Sequence, residues 1–176
     1  ARRDPDLRYF AQEMTDKIAA LGRAHEFVAP TGMVRENTLH GLLDQIFAPY
    51  NSQHEQRITV TGSNPTIQGR AATPLALVFH ELATNSAKYG ALSCPEGHLT
   101  VTVEEECESG GEGSVCVSWE EQASSCADPD KSEHEGFGSR LLRMAVEGQL
   151  GGTFERTFSA DGLDVRIVFP RKSIEN

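Results

Sequence analysis

Three side chains in the stretch PLALVFHELATNSAKYGALS, residues 74–93, are spaced to act together: the carboxylate of Glu81, the amide of Asn85 and the ammonium of Lys88. They stand at i, i+4 and i+7. At ~100° per residue on a helix, all three fall within one narrow arc. One carboxylate and one amide, with no second carboxylate beside them, suit a single hydrated Mg²⁺, which prefers oxygen ligands and keeps several of its waters. An ammonium one turn further on suits the phosphates such an ion would carry. The plainer reading of the same spacing is a solvated Glu–Lys helix face. Leu75, Val78, Leu82 and Tyr89 form an adjacent apolar stripe, and Ala83, Thr84 and Ala87 are small enough for something to approach closely. His80-Glu81 begins like the zinc-protease pattern H-E-x-x-H, but residue 84 is threonine, which excludes it.

A second feature is EGFGSRLL, residues 135–142, where two glycines one residue apart open a helical pattern. Free backbone N–H groups and the helix dipole favour an anion there, although a tight turn accounts for such glycines equally well. The segment lacks the third glycine and the preceding strand of a dinucleotide fingerprint, and no Walker-type phosphate loop occurs. Just before it, residues 120–135 are polar and without periodicity. A long irregular stretch at that place fits a lid hinged beside the glycines.

Composition bounds the alternatives. A chain of 176 residues with 38% hydrophobic and 24% charged residues is one globular domain with room for a short appendage. Its net charge of −10 argues against sequence-independent nucleic-acid binding, which depends on neutralising phosphates. No apolar run approaches the ~18 residues of a membrane span, and the start lacks the apolar core of a secretory signal. The expectation is a soluble, cytoplasmic chain. Cys94, Cys107, Cys116 and Cys126 form no CxxC pair, so free thiols are expected rather than zinc or a disulfide framework.

The elements that must position these residues follow from periodicity. Leu7, Phe10, Met14, Ile18 and Leu21 predict a helix over about 6–27, broken by Pro30 and Gly32. A second helix is expected over about 36–47. RITVTG (57–62) alternates as a strand, and PTIQGR (65–70) reads as its hairpin mate across Gly62-Ser63-Asn64. A third helix is expected from near Thr73-Pro74 to Tyr89, stopped by Gly90. Strands follow at 98–105 and 114–119, then a helix from Gly136-Phe137-Gly138 to Leu150. TFERTF and LDVRIVF close the chain as a hairpin. This order predicts an α+β fold: a two-layer sandwich of helices on a mixed, mostly antiparallel sheet.

In their order and spacing, HELATNSAKYG (80–90), VSWEE (117–121), GFGSRLL (136–142) and QLGG (149–152) closely resemble the HWE class of bacterial sensor histidine kinases. That class carries a histidine in its N-box, here His80, and a W-x-E motif in place of the usual first glycine box, here Trp119-Glu120-Glu121. ALGRAHEFV (20–28) resembles the end of the class's second dimerisation helix. The resemblance covers most of the chain and implies the Bergerat ATP-binding fold over residues 31–176, preceded over residues 1–30 by a remnant of the dimerisation and phosphotransfer helices.

The resemblance also implies roles. Asn85 would bind Mg²⁺ through its amide oxygen. Glu81 would be the N-box acid, ordering water or assisting deprotonation of the attacking histidine. Lys88 would reach the phosphates, and the backbone from Gly136 through Phe137, Gly138 and Ser139 would cradle them, with the Ser139 hydroxyl added. Glu121 would accept from the adenine amino group, with Glu120 the rival if the register slips. Trp119 would wall the pocket or simply be core. His80 would lie near the nucleotide or be a partly buried histidine bonded to backbone. ATP and Mg²⁺ would be the cofactors and a response-regulator receiver domain the partner, with homodimerisation left open.

The sequence departs from the class in two places. QASSCADPD (122–130) stands where a glycine pair and proline usually follow W-x-E. The class's phosphoacceptor motif, H-R-x-x-N-like, is absent, and His25, His40, His54, His98 and His134 have no such context. The chain is therefore expected to begin after the acceptor helix and sensor, as a catalytic fragment that binds nucleotide without phosphorylating itself productively. The alternatives are a non-catalytic nucleotide-binding module and an anti-sigma-type serine kinase of the same ATPase superfamily.

Overall fold

The structure, a computed structural model, describes residues 37–51, 57–106, 113–123, 137–159 and 162–175. The helix expected over 6–27, Gly136 and residues 124–135 of the polar stretch lie outside these residues.

Helix α1 (Leu39–Phe47) starts at Thr38, whose side chain accepts from the Gly41 N–H at 3.3 Å. Such a cap satisfies one of the orphan donors of the first turn. Its inward residues Leu39, Leu42, Leu43 and Phe47 are buried, as their spacing requires. Strand β1 (Ile58–Gly62) follows, and then helix α2 (Gly69–Tyr89), the longest element. A one-turn 3-10 helix (Ala91–Ser93) leads from α2 into β2 (His98–Glu106) and β3 (Ser114–Gln122). Helix α3 (Phe137–Arg143) continues as a π-helical turn over Met144–Gln149. Strands β4 (Thr153–Ser159) and β5 (Gly162–Pro170) form the closing hairpin, and a short helix α4 (Lys172–Glu175) ends the described chain.

The five strands form one sheet in the order β1-β2-β3-β5-β4, with β1 and β2 parallel and every other pair antiparallel. Register explains the layering. Val101 of β2, Trp119 of β3 and Val165 of β5 are cross-strand partners, as are Val103, Val117 and Ile167. All six are buried in one core with α1 and α2. Strand alternation puts such residues on a single face. The expected two-layer α+β sandwich is what forms.

Three local expectations are corrected. Residues 65–70 are not the hairpin mate of β1. Thr66 bridges Thr38 instead, with the Leu39 N–H donating to Pro65 O at 2.9 Å and the Ile67 N–H to Asn37 O at 2.6 Å. The partner of β1 is β2. Helix α2 begins at Gly69, upstream of Pro74, because burial of Ala71 and Ala72 outweighs a proline in an early turn. The stretch expected to be irregular from residue 120 continues β3 through Gln122.

Candidate functional site

Helix α2 carries Glu81, Asn85 and Lys88 on one arc, and burial grades along it. Glu81 is 6% exposed, Asn85 is half-buried and Lys88 is exposed. The arc thus climbs from core to solvent, unlike a uniformly solvated helix face. His80 is half-buried. Tyr89 does not continue the apolar stripe, being 55% exposed at the last residue of α2. The small residues serve the protein's own packing. Ala83 is fully buried, and Thr84 Oγ1 lies 3.4 Å from the Tyr50 hydroxyl.

The N-box arc and the glycine segment do meet. Gly138, in the first turn of α3, lies so close to α2 that a Cβ there would overlap Glu81 Oε1. The glycine is required at this position because a carboxylate occupies its side-chain space. Phe137, Gly138 and Ser139 form the first turn of α3, and Gly138 brings that turn up to the Glu81 carboxylate. The Ser139 hydroxyl accepts from Arg156 Nη1 of β4 at 3.3 Å. That guanidinium also stands 4.8 Å from the Phe158 ring centroid. Ser139 thus has a partner on the sheet, which its place after the glycines did not reveal.

Glu121 sits at the other end of α2. It occupies the core-facing row of β3, two residues beyond Trp119, paired with Leu99 and Leu163 across the sheet. Strand parity therefore turns Glu121 toward the helices and leaves Glu120 exposed. The Glu121 carboxylate is 4% exposed. Oε1 accepts from Trp119 Nε1 at 2.9 Å, and Oε2 accepts from the Ala91 N–H at 2.8 Å. A Cβ on Gly90 would overlap Oε2, so this glycine provides space for a carboxylate besides ending the helix. Trp119 has no exposed surface, and its ring packs on Phe47 with centroids 5.7 Å apart. It belongs to the core and is no exposed pocket wall. Sequence reading missed Gly90 and Ala91 as partners of Glu121, since the only local signal was a glycine after a helix.

Among the described residues, no three His, Cys, Asp or Glu side chains are grouped to hold a metal ion. One amide oxygen supplemented by phosphates and waters is a fitting donor set for Mg²⁺, which needs no all-protein cage. Asn85, half-buried beside the carboxylate of Glu81, fits that description. No helix among the described residues is long and apolar enough to cross a membrane.

A five-stranded mixed sheet under an N-box helix is the architecture of histidine-kinase catalytic domains. The histidine kinase domain of the Erythrobacter litoralis EL346 blue-light-activated kinase superimposes with a TM-score of 0.57 at 18% identity, over 94% of this chain and 86% of that one. The nucleotide-free catalytic domain of histidine kinase ThkA gives 0.52 at 14% identity, over 76% and 94%. At the sequence level, residues 1–64 match the family model described as HWE histidine kinase. Blue-light-activated histidine kinase 1 of Erythrobacter litoralis is 30% identical over 171 residues, which is 97% of this chain and 46% of that protein. The blue-light-activated histidine kinase of Brucella abortus is 31% identical over 160 residues, 89% of this chain and 31% of its own length. The chain is thus similar to HWE histidine kinases, and it spans less than half the length of these relatives.

Proposed function

We propose that this chain is the ATP-binding catalytic part of a bacterial sensor histidine kinase. It would transfer the γ-phosphoryl group of ATP to a histidine nitrogen on a phosphoacceptor helix, and the group would then pass to an aspartate of a response-regulator receiver domain. The observation that carries this reading is the packing of Glu81 against Gly138, which joins the N-box helix to the glycine-opened start of α3. Residues 1–30 would be the remnant of the dimerisation region and residues 31–176 the catalytic domain. The whole protein would be a cytoplasmic homodimer with its sensor region elsewhere.

Transfer of a phosphoryl group asks the protein mainly for position and charge. Asn85 would offer its amide oxygen to Mg²⁺, and Lys88, one turn further out, would meet the phosphates. The backbone N–H groups from Gly136 to Ser139 would face the same anion. When bound, Mg²⁺ neutralises phosphate charge. Glu81, beneath this group, would order water or hold the proton of the attacking imidazole. Glu121 would accept from the adenine amino group at the far end of α2, and His80 would lie near the nucleotide.

Calorimetry with a non-hydrolysable ATP analogue, with and without Mg²⁺, tests this reading. We expect Mg²⁺-dependent binding that falls by tenfold or more, about 1.4 kcal/mol, in Asn85→Ala. No binding at millimolar nucleotide would sink it. QASSCADPD, without glycine, favours a second reading as a non-catalytic nucleotide module. Supplying an acceptor-helix domain in trans separates the two, because only a kinase labels its histidine from radioactive ATP.

A further inference from the structure

The two bonds of Glu121 come from different elements. Ala91 belongs to the turn after α2, and Trp119 to the same strand as Glu121 itself. A carboxylate has about four lone-pair positions, so two donors fix its plane and leave one direction open on each oxygen. Trp119 is a rigid donor. Its ring is fully buried and tilted 44° against Phe47, which leaves it no other rotamer without emptying the core. The dependence is mutual, since a buried indole N–H needs an acceptor. If Trp119 were only core, phenylalanine would serve nearly as well. The N–H bond is what distinguishes the two residues.

We propose that Trp119 is a positioning residue for base recognition: its indole N–H sets the Glu121 carboxylate so that a fixed acceptor faces the exocyclic amino group of adenine. This deepens the nucleotide-binding reading and rests on its assignment of Glu121. An ionised carboxylate can only accept. It bonds an amino group, repels the carbonyl of guanine and gains little from a purine bearing hydrogen at that carbon. Without the indole N–H, Ala91 alone holds the group, and the carboxylate can pivot about Oε2. Glutamine could not replace Glu121 here, because its NH₂ would oppose one of the two N–H donors.

The test is calorimetry on the 176-residue chain and Trp119→Phe, with the Mg²⁺ complexes of an ATP analogue and of purine riboside triphosphate, which lacks the amino group. The wild type should prefer the ATP analogue by about tenfold, the scale of one charge-assisted hydrogen bond. Trp119→Phe should lose that preference while binding the amino-free nucleotide unchanged, a selectivity readout that general loosening would not give. A Trp119→Phe protein that keeps the wild-type ratio overturns the proposal. Equal wild-type affinities overturn it alone, whereas absent binding of either nucleotide overturns it together with the proposed function. A second readout needs no variant. Trp119 is the chain's only tryptophan, so one indole N–H peak appears in the amide NMR spectrum. The ATP analogue should shift it more than the amino-free nucleotide does. A peak unmoved at saturation overturns the proposal.

Discussion

Glu81 and Glu121 are both buried carboxylates lodged where a glycine has no side chain, yet their surroundings differ. Glu121 stands on a strand in the middle of the sheet, with each oxygen held by a buried N–H. Glu81 rises from the middle of a helix, at the inner end of an arc that runs through Asn85 to the solvent at Lys88. The first carboxylate is framed by backbone and core, and so suits recognition of a fixed edge such as a base. The second adjoins groups suited to phosphates and metal. The contrast shows that burial alone does not assign a carboxylate. Its donors, and the direction in which its neighbours lead, decide the chemistry.

Variants can break or sharpen this contrast. Glu121→Ala should cost the most, about 3 kcal/mol, because it strands two buried N–H donors at once. Urea unfolding measures it, and a loss below about 1 kcal/mol would show that the frame carries little stability. Gly90→Ala should come next, at about 2 kcal/mol of overpacking. The new methyl meets Glu121 Oε2, whose side chain is pinned, and also the backbone Cα of Ser86. Gly138→Ala should cost less, about 1 kcal/mol, since its three nearest atoms all belong to one side chain, that of Glu81, and none to the backbone. Placing Glu81→Ala in that background should relieve the clash, read as a coupling energy in a double-mutant cycle. If Gly138→Ala proved costlier than Gly90→Ala, the backbone contact at Gly90 would not be what sets the two sites apart.

Much of this was legible in the sequence, for identifiable reasons. The closing hairpin and strand β2 carry strong local periodicity and form close to where it places them, and the N-box helix ends at Tyr89 as its spacing requires. The mate of β1 was misread because Gly62-Ser63-Asn64 is a good turn signal while a parallel partner leaves no local trace. Residues 65–67 do pair, but with the lead into α1. The start of α2 was misread because a proline usually marks a first turn, and tertiary burial moved the boundary upstream. Within the site, the arc of Glu81, Asn85 and Lys88 could be drawn from helical spacing alone. The roles of Gly90, Ala91 and Arg156 could not, since each depends on a partner 17 or more residues away.

The lone parallel pair among the described strands bears on how the chain assembles. Strands β2, β3, β5 and β4 join antiparallel, whereas β1 reaches β2 only across the whole of α2, with Thr59 meeting Thr100. Such non-local closure comes late in folding, because the entropy of ordering the intervening chain must be met first. Strand β1 also lies at the sheet's margin, bonded along one side. It should therefore be the last strand to dock and the first to open, with amide protons over 58–62 exchanging well before those of the central strand β3.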